Sequence, residues 1–202
     1  MSTPTPVTTV DLPTLVSGSR GTGWWGVLLV LVIEGTVFSA LIASYFYYYS
    51  GSPEWPQGGF DPPKLLLPTV NAFILWASVV PAYLADRSLR QGAIGRFRAL
   101  RFGATLLVVA FLILKVVEYS DVSYMWDSNA YGSIVWTITG LHVAHVIAVL
   151  LKTASTQALA IRGFWDEHRH LTVQTTTLYW FFVAGVWVPL FATLYLFPNF
   201  FA

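Results

Sequence analysis

The chain has 202 residues, of which 55% are hydrophobic, 16% are aromatic and 10% are charged. In a soluble protein about a quarter of the residues are charged, so this composition indicates a membrane protein. The net charge of +1 argues against nucleic acid as a partner, and the lack of cysteine excludes disulfides, thiolate-held clusters and thiol catalysis.

The chain begins with a polar segment, residues 1–23, that is rich in serine, threonine and proline and contains a single basic residue. This segment lacks the apolar core of a secretory signal. We therefore expect a flexible cytoplasmic tail here, followed by a single transmembrane domain that spans residues 24–202.

Five later stretches are long and apolar enough to cross a membrane, which takes about 20 residues for about 30 Å of hydrocarbon. They span residues 24–49, 65–85, 102–119, 131–151 and 174–198. The segments between them are charged or rich in turn-forming residues, and no internal repeat is evident. The sequence therefore predicts an all-α membrane protein, a bundle of five transmembrane helices.

Basic residues near the span ends predict the direction of the bundle, because lysine and arginine collect on the cytoplasmic side of a membrane. Eight of them fall on one side of the five spans, and only Lys64 falls on the other. The eight are Arg20, Arg87, Arg90, Arg96, Arg98, Arg101, Arg162 and Arg169. We expect the N-terminus in the cytoplasm and the C-terminus outside.

Glu34 is an ionisable residue inside the first span. It lies ten residues after Trp24, which places it about 15 Å deep. An ionised carboxylate near the bilayer centre costs about 2.5–3.5 kcal/mol on insertion scales. Two interpretations remain open, a protonated Glu34 that donates one hydrogen bond to a neighbouring helix and a residue with a proton-linked function.

Two histidines of the fourth span, His142 and His145, lie three residues apart and share one helix face. Because this span runs inward, His142 reaches about the depth of Glu34. We therefore expect Glu34 and both histidines to form one buried polar patch. Three such ligands can hold a metal ion, but the sequence lacks the Glu-x-x-His repeat of di-iron bundles. A structural pair is the favoured interpretation, and no metal site is predicted.

Polar residues of the second and third spans predict packing contacts. Lys115 and Glu118 are three residues apart on one face, near the outer end of their span, and can neutralise each other as an ion pair at the interface. Asn71 is expected to join the polar patch through hydrogen bonds between helices. No catalytic residue is predicted in this chain.

Five stretches, each in its own span and in this order, resemble subunit III of the haem–copper terminal oxidases (cytochrome c oxidase subunit 3) in its short, five-helix bacterial form. They are IEGTVFSALIASYFYY with Glu34, DPPKLLLPTVNAFIL with Asn71, VVEYSD with Glu118, NAYGSIVWTITGLHVAHV with the two histidines, and LYWFFVAGVWVPLFATLYL. Together they cover nearly all of the chain between Trp24 and Phe197, which makes the resemblance specific.

The last span departs from the family pattern, which usually reads Tyr-Trp-His-Phe-Val-Asp. Phe181 and Ala184 stand here in place of the histidine and the aspartate. Replacing both members of a polar pair by apolar residues can be energetically neutral, so the fold assignment is unaffected. The branch of the family stays open: cytochrome c oxidase, quinol oxidase, or the related accessory subunit of nitric oxide reduction.

The resemblance implies an accessory, non-catalytic subunit of a proton-pumping respiratory oxidase in the bacterial plasma membrane. In this family haem and copper belong to the partner subunits, and subunit III binds the catalytic subunit I in a complex with subunit II. It also holds phospholipid and supports stability and proton uptake, and its best-known ionisable position matches Glu34. The residues alone leave two other functions open, an independent proton or solute transporter and a membrane cytochrome with haem on His142 or His145.

Overall fold

A computed structural model describes residues 22–165 and 170–201 of the chain. Within these residues the structure consists of five long helices: α1 (Thr22–Ser50), α2 (Leu66–Arg90), α3 (Ile94–Asp121), α4 (Ala130–Ile161) and α5 (Leu171–Phe191). A π-helical segment, Ala192–Leu196, and a last turn, Phe197–Phe200, continue α5. All five helices are long and apolar enough to cross a membrane, so the predicted bundle of five transmembrane helices is confirmed.

The helices are longer than the apolar spans predicted inside them. Residues 86–101, expected to connect the second and third spans, are helical except for residues 91–93, and α4 continues ten residues past its predicted end at position 151. The spans were predicted from where apolar residues stop, whereas helical hydrogen bonding continues into the polar residues beyond. The predicted tail lies outside the described residues, except for Thr22 and Gly23, which begin α1.

The sharp turn between α2 and α3 is built around Gly92. This residue has a φ of 73°, in the left-handed region that glycine adopts most easily. Its N–H donates to the carbonyl oxygen of Leu89 at 2.9 Å, and the N–H of Ala93 donates to that of Ser88 at 2.9 Å. These two bonds form a Schellman motif, which ends α2 and packs α3 back against it.

α5 lies at the centre of the bundle, where it contacts α1, α2 and α4. Two indole groups bond it to α2. Trp180 Nε1 donates to the hydroxyl of Ser78 at 2.9 Å, and Trp76 Nε1 donates to the carbonyl oxygen of Ala184 at 3.0 Å. By contrast, α1 contacts chiefly α4 and α5, and most of its side chains are exposed. The bundle thus has a well-packed centre and one peripheral helix.

The two ends of the bundle differ in composition. The arginine-rich end holds the α2–α3 turn, the end of α4 and the start of α5, with Arg87, Arg90, Arg96, Arg98, Arg101 and Arg162. At the other end, the aromatic end, the ring centroid of Trp55 lies 5.0 Å from those of Tyr45 and Tyr131, and Tyr124 packs on Tyr131. The apolar middle of the bundle therefore lies between a charged end and an aromatic end.

Gly132 provides a test of the packing at the aromatic end. An added Cβ at this position in α4 would overlap the carbonyl oxygen of Met125. We expect Gly132→Ala to lower the free energy of unfolding by about 1–3 kcal/mol, because the backbone must move apart, measured by thermal unfolding in detergent. Gly140, in the same helix, has nothing within 4 Å of its Cβ position, so Gly140→Ala should be neutral or stabilising. Equal effects of the two changes would contradict this packing.

Candidate functional site

A hydrogen-bonded pair, Glu34 and His145, joins α1 to α4 near the middle of α1. Glu34 Oε2 lies 2.8 Å from His145 Nε2, and His145 Nδ1 lies 2.7 Å from the carbonyl oxygen of Leu141. Because a carbonyl oxygen can only accept, Nδ1 carries a proton and donates it. The bond to Glu34 then holds one further proton, on either the carboxyl or the imidazole. The pair has no net charge in either form, and without this proton neither group could donate to the other.

The carboxyl group of this pair lies at the edge of the bundle. The Glu34 side chain is 30% exposed, whereas that of His145 is 8% exposed. Two rings pack beside the imidazole, Phe38 with its centroid at 5.1 Å and Tyr179 with its centroid at 6.4 Å. The carboxyl is therefore paired on its inner side and faces outward in part, at a depth where hydrocarbon offers no hydrogen-bond partner.

His142 takes part in a different contact. It is 0% exposed, its Nε2 donates to the carbonyl oxygen of Val183 at 3.1 Å, and its ring stacks on Trp187 with centroids 4.3 Å apart. Its Nδ1 has no hydrogen-bond partner among the described residues. The two histidines thus reach different helices: His145 bonds to α1, and His142 bonds to α5.

Three of the four histidine nitrogens of the site are used in hydrogen bonds, and aromatic rings pack beside both imidazoles. In the part of the chain that the structure describes, no three His, Asp or Glu side chains come together to hold a metal ion. Both ring nitrogens of His145 are engaged, and the rings of Phe38, Phe111 and Trp187 pack around His142. This environment suits a hydrogen-bonded polar contact better than an axial ligand of haem.

Lys115 and Glu118 form a triad with Tyr195 inside the bundle. Lys115 Nζ donates to Glu118 Oε1 at 2.8 Å and to Tyr195 Oη at 2.7 Å, and the Tyr195 hydroxyl donates to Glu118 through a short bond. The Lys115 side chain is 1% exposed, so this ion pair lies in the interior of the bundle. Sequence reasoning missed Tyr195, which lies in the π-helical segment after Pro189. Such segments are frequent at functional sites.

One indole ring connects the triad to the histidines. Lys115 Nζ lies 4.9 Å from the ring centroid of Trp187, a cation–π contact, and the same ring stacks on His142. Trp187 itself is buried. The two polar clusters are therefore held in a fixed relation by one aromatic side chain of α5.

The remaining residues named from the sequence, Asn71, Phe181 and Ala184, form no side-chain hydrogen bond among the described residues. Asn71 is 1% exposed, and neither of its amide atoms has a hydrogen-bond partner among the described residues. The expected bond between helices is not formed there, because sequence identifies a buried amide but not the group that faces it. Phe181 is exposed and packs on Tyr83 with centroids 6.2 Å apart. Ala184 is buried, and its carbonyl oxygen accepts the hydrogen bond from Trp76.

A further charged contact is centred on Arg101. In the sequence analysis this residue served only to predict orientation. Arg101 is 0% exposed. It donates to the hydroxyl of Thr177 at 3.0 Å, and its guanidinium carbon lies 5.2 Å from the ring centroid of Trp180. In the neighbouring helix α2, buried Asp86 pairs with Arg90 at 2.8 Å. Arg101 lies inside because α3 begins at Ile94, two turns earlier than its apolar span.

A cavity of about 700 Å³ opens beside the triad at the aromatic end. Its wall is mostly apolar, with Leu66, Leu67 and Leu114, and it includes Glu118. Glu118 thus reaches from the buried triad to the cavity wall.

Comparison with known proteins gives one family. The family model described as "Cytochrome c oxidase subunit III" matches residues 17–199 of the chain. The protein named "Cytochrome c oxidase subunit 3" from Synechocystis sp. is 32% identical over 174 residues, which are 85% of this chain and 74% of that protein. The protein of the same name from Thermostichus vulcanus is 27% identical over 87% of each chain, and that from Dugong dugon is 27% identical over 91% of this chain and 71% of its own.

A double-mutant cycle tests whether Glu34 and His145 stabilise each other. Glu34→Leu and His145→Leu should each lower the free energy of unfolding by about 1–3 kcal/mol, because each leaves one polar partner without its bond. The double variant should lose less than the sum, with a coupling of at least about 0.5 kcal/mol, measured by unfolding in detergent micelles.

The control for this cycle combines Glu34→Leu with Lys64→Met. Lys64 forms an exposed ion pair with Asp121, in a different region of the chain from Glu34. These two changes should add within about 0.5 kcal/mol. If the effects of Glu34→Leu and His145→Leu add as closely as those of the control pair, the contact between Glu34 and His145 contributes nothing to stability.

Proposed function

The chain belongs to the cytochrome c oxidase subunit III family, and we propose that it acts as an accessory, non-catalytic subunit of a proton-pumping haem–copper oxidase. In this role it crosses the bacterial plasma membrane five times and binds the catalytic subunit I, in a complex that includes subunit II. Haem and copper are held by those partner subunits. The names of its relatives favour cytochrome c oxidase over the quinol oxidase and nitric oxide reductase branches.

The observation that carries this proposal is the incomplete cover over Glu34. The Glu34 side chain is 30% exposed on a helix whose outward face is apolar, with Leu29, Ile33, Val37 and Tyr47 all exposed. In a chain surrounded only by lipid, an ionisable group in this position costs free energy. A partner subunit that packs on this face would cover it.

The neighbouring helix offers a second surface for close packing. Gly140 and Ala144 of α4 are exposed one turn apart, and no described helix of the chain covers them. Small residues at this spacing allow another helix to approach closely. Docking of the catalytic subunit against α1 and α4 would use both features.

We assign the proton-linked function to the pair of Glu34 and His145, because one proton is shared in the bond between them. Polar groups continue from this pair along the bundle. The ring of Tyr179 lies 6.4 Å from that of His145, and Lys152 Nζ lies 4.6 Å from the ring centroid of Tyr179. Lys152 is exposed and lies nearer the arginine-rich end, which supports proton entry from that side.

Purification of the chain with its partners tests the proposal. An affinity-tagged chain, extracted in mild detergent, should bring with it a haem-bearing subunit, the Soret band of an oxidase and oxygen-reducing activity. Recovery of a stable chain without any haem-bearing partner, under conditions that keep the oxidase intact, would contradict the proposed function.

Labelling of single cysteines tests the orientation, with the arginine-rich end in the cytoplasm as basic residues favour. The chain has no cysteine, so each introduced cysteine reports alone. Asp127→Cys, in an exposed position at the aromatic end, should react with a membrane-impermeant maleimide in intact cells. Gly95→Cys, at the arginine-rich end, should react only after the membrane is permeabilised. The reverse pattern would show that the chain is inserted the other way round.

Glu34→Gln tests the proton-linked role, because the amide can still form a hydrogen bond but cannot exchange a proton. We expect normal assembly and a normal initial rate, but about tenfold fewer turnovers before the enzyme inactivates. A tenfold change corresponds to a difference of about 1.4 kcal/mol in activation free energy. Oxygen consumption followed to exhaustion measures this. Glu54→Gln is the matched control, since Glu54 is exposed in the α1–α2 connection, and it should behave like the unchanged protein. If both variants complete the same number of turnovers before inactivation, Glu34 has only a structural role.

A further inference from the structure

A small internal cavity lies next to the triad, between α3 and α4. Its volume is about 20 Å³, and its lining residues include Glu118, Tyr119, Val135 and Thr139. A cavity needs about 10–15 Å³ of such space to hold one water molecule. This cavity therefore has room for one water, and a larger ligand does not fit.

Glu118 brings to this cavity a carboxylate oxygen that lacks a donor. Its Oε1 accepts hydrogen bonds from Lys115 and Tyr195, whereas its Oε2 is buried and has no hydrogen-bond partner in the part of the chain that the structure describes. A buried ion pair offsets the cost of its desolvation only when its remaining lone pairs are also hydrogen-bonded. Because Lys115 is almost completely buried, Glu118 Oε2 requires a donor inside the bundle.

Tyr119 brings a hydroxyl group to the same cavity. Two contacts hold its ring: Lys115 Nζ lies 5.4 Å from the ring centroid, and the ring of Trp136 stacks on it with centroids 4.7 Å apart. The hydroxyl lies beside Thr139, but it makes no hydrogen bond of normal geometry within residues 22–165 and 170–201. Thr139 Oγ1 donates to the carbonyl oxygen of Val135 at 2.8 Å, so its own lone pairs can still accept.

One water molecule matches these three groups. It can donate to Glu118 Oε2 and to Thr139 Oγ1 while it accepts from the hydroxyl of Tyr119. A buried water usually makes about three hydrogen bonds. Each of the three groups then acts in the role that its chemistry allows, the carboxylate and the threonine oxygen as acceptors and the phenol as a donor.

The large cavity at the aromatic end gives water a route to this position. The large and the small cavity share the lining residues Glu118, Val122, Tyr124 and Tyr195. The wall of the large cavity also includes Lys64, whose side chain is 79% exposed at the end of the bundle. The small cavity thus adjoins a space that is open to solvent.

We propose that the small cavity is a binding site for one ordered water molecule, which joins Glu118 and Tyr119 of α3 to Thr139 of α4. This water supplies the donor that the second oxygen of Glu118 lacks, and the triad with its water becomes one hydrogen-bonded cluster around the buried charge of Lys115. The site lies within the chain itself and is independent of the proposed function and of the role of Glu34.

A density map at a resolution that shows ordered water tests the site directly, on the purified protein alone or in its complex. We expect a peak within about 3.2 Å of both Glu118 Oε2 and Tyr119 Oη. If the map shows other buried waters but no peak in this cavity, the proposal is wrong.

Val135→Ile tests the same site through stability, because the added methyl group takes up about the space of one water. If the cavity is dry, filling it raises stability. If it holds water, the methyl group displaces the water and leaves Glu118 Oε2 without a donor. We expect the unfolding temperature of the full chain in detergent to fall by about 2–4 °C, the shift for loss of one hydrogen bond in a chain of this size. A rise in the unfolding temperature would contradict the bound water.

Tyr119→Phe separates the water from a direct contact between Tyr119 and Thr139. The change should also lower the unfolding temperature by about 2–4 °C, whereas Tyr47→Phe, the matched control at a 75% exposed ring, should leave it unchanged. Because Val135→Ile and Tyr119→Phe remove hydrogen bonds of the same water, the double variant should lose less than the sum of the two. Additive losses would mean that the Tyr119 hydroxyl acts without the water, and equal effects of Tyr119→Phe and Tyr47→Phe would mean that it has no partner in the cavity. Either result would overturn the proposal.

Discussion

Hydrocarbon offers no partner to a polar group, and this constraint determines how the polar side chains of the bundle are arranged. Lys115 is almost completely buried and therefore bonds to both Glu118 and Tyr195. Arg101, equally buried, bonds to Thr177 and lies over Trp180. His142 bonds to a backbone carbonyl of α5. These contacts tie α3 and α4 to the central helix, so the cost of burying polar groups also specifies which helices pack together.

At the periphery the constraint leaves one ionisable group partly uncovered, because Glu34 is paired with His145 but its side chain is 30% exposed. A peripheral helix with an apolar outward face and a carboxyl at mid-depth is unfavourable for a lone protein and suitable for a subunit of a larger assembly. Family membership agrees with this interpretation, because the relatives are named as subunits. This is the pair to which we assign the proton-linked function, because its two members share one hydrogen bond.

Hydropathy and helix geometry were enough to predict much of this structure. Apolar runs predicted the five helices, and the rise of 1.5 Å per residue predicted one polar patch with His142 at the depth of Glu34. The structure instead joins Glu34 to His145, one turn further along α4. The contact of His142 could not be predicted, because its acceptor is the backbone carbonyl of Val183, which has no signature in sequence. Tyr195 was missed because a π-helical segment shifts its direction after Pro189. The helix ends could not be predicted from hydropathy, because the helices continue into charged residues beyond the apolar spans. The burial of Arg101 was missed for the same reason.

The central claim is that this chain supports a redox enzyme without holding a redox centre itself. The most direct measurement is the haem and copper content of the purified complex before and after this subunit is selectively removed with detergent. The account predicts that the remaining core keeps its full content of haem and copper, with an unchanged absorption spectrum. Loss of haem or copper in proportion to the chain removed would show that its own side chains hold a metal centre, and it would contradict the account.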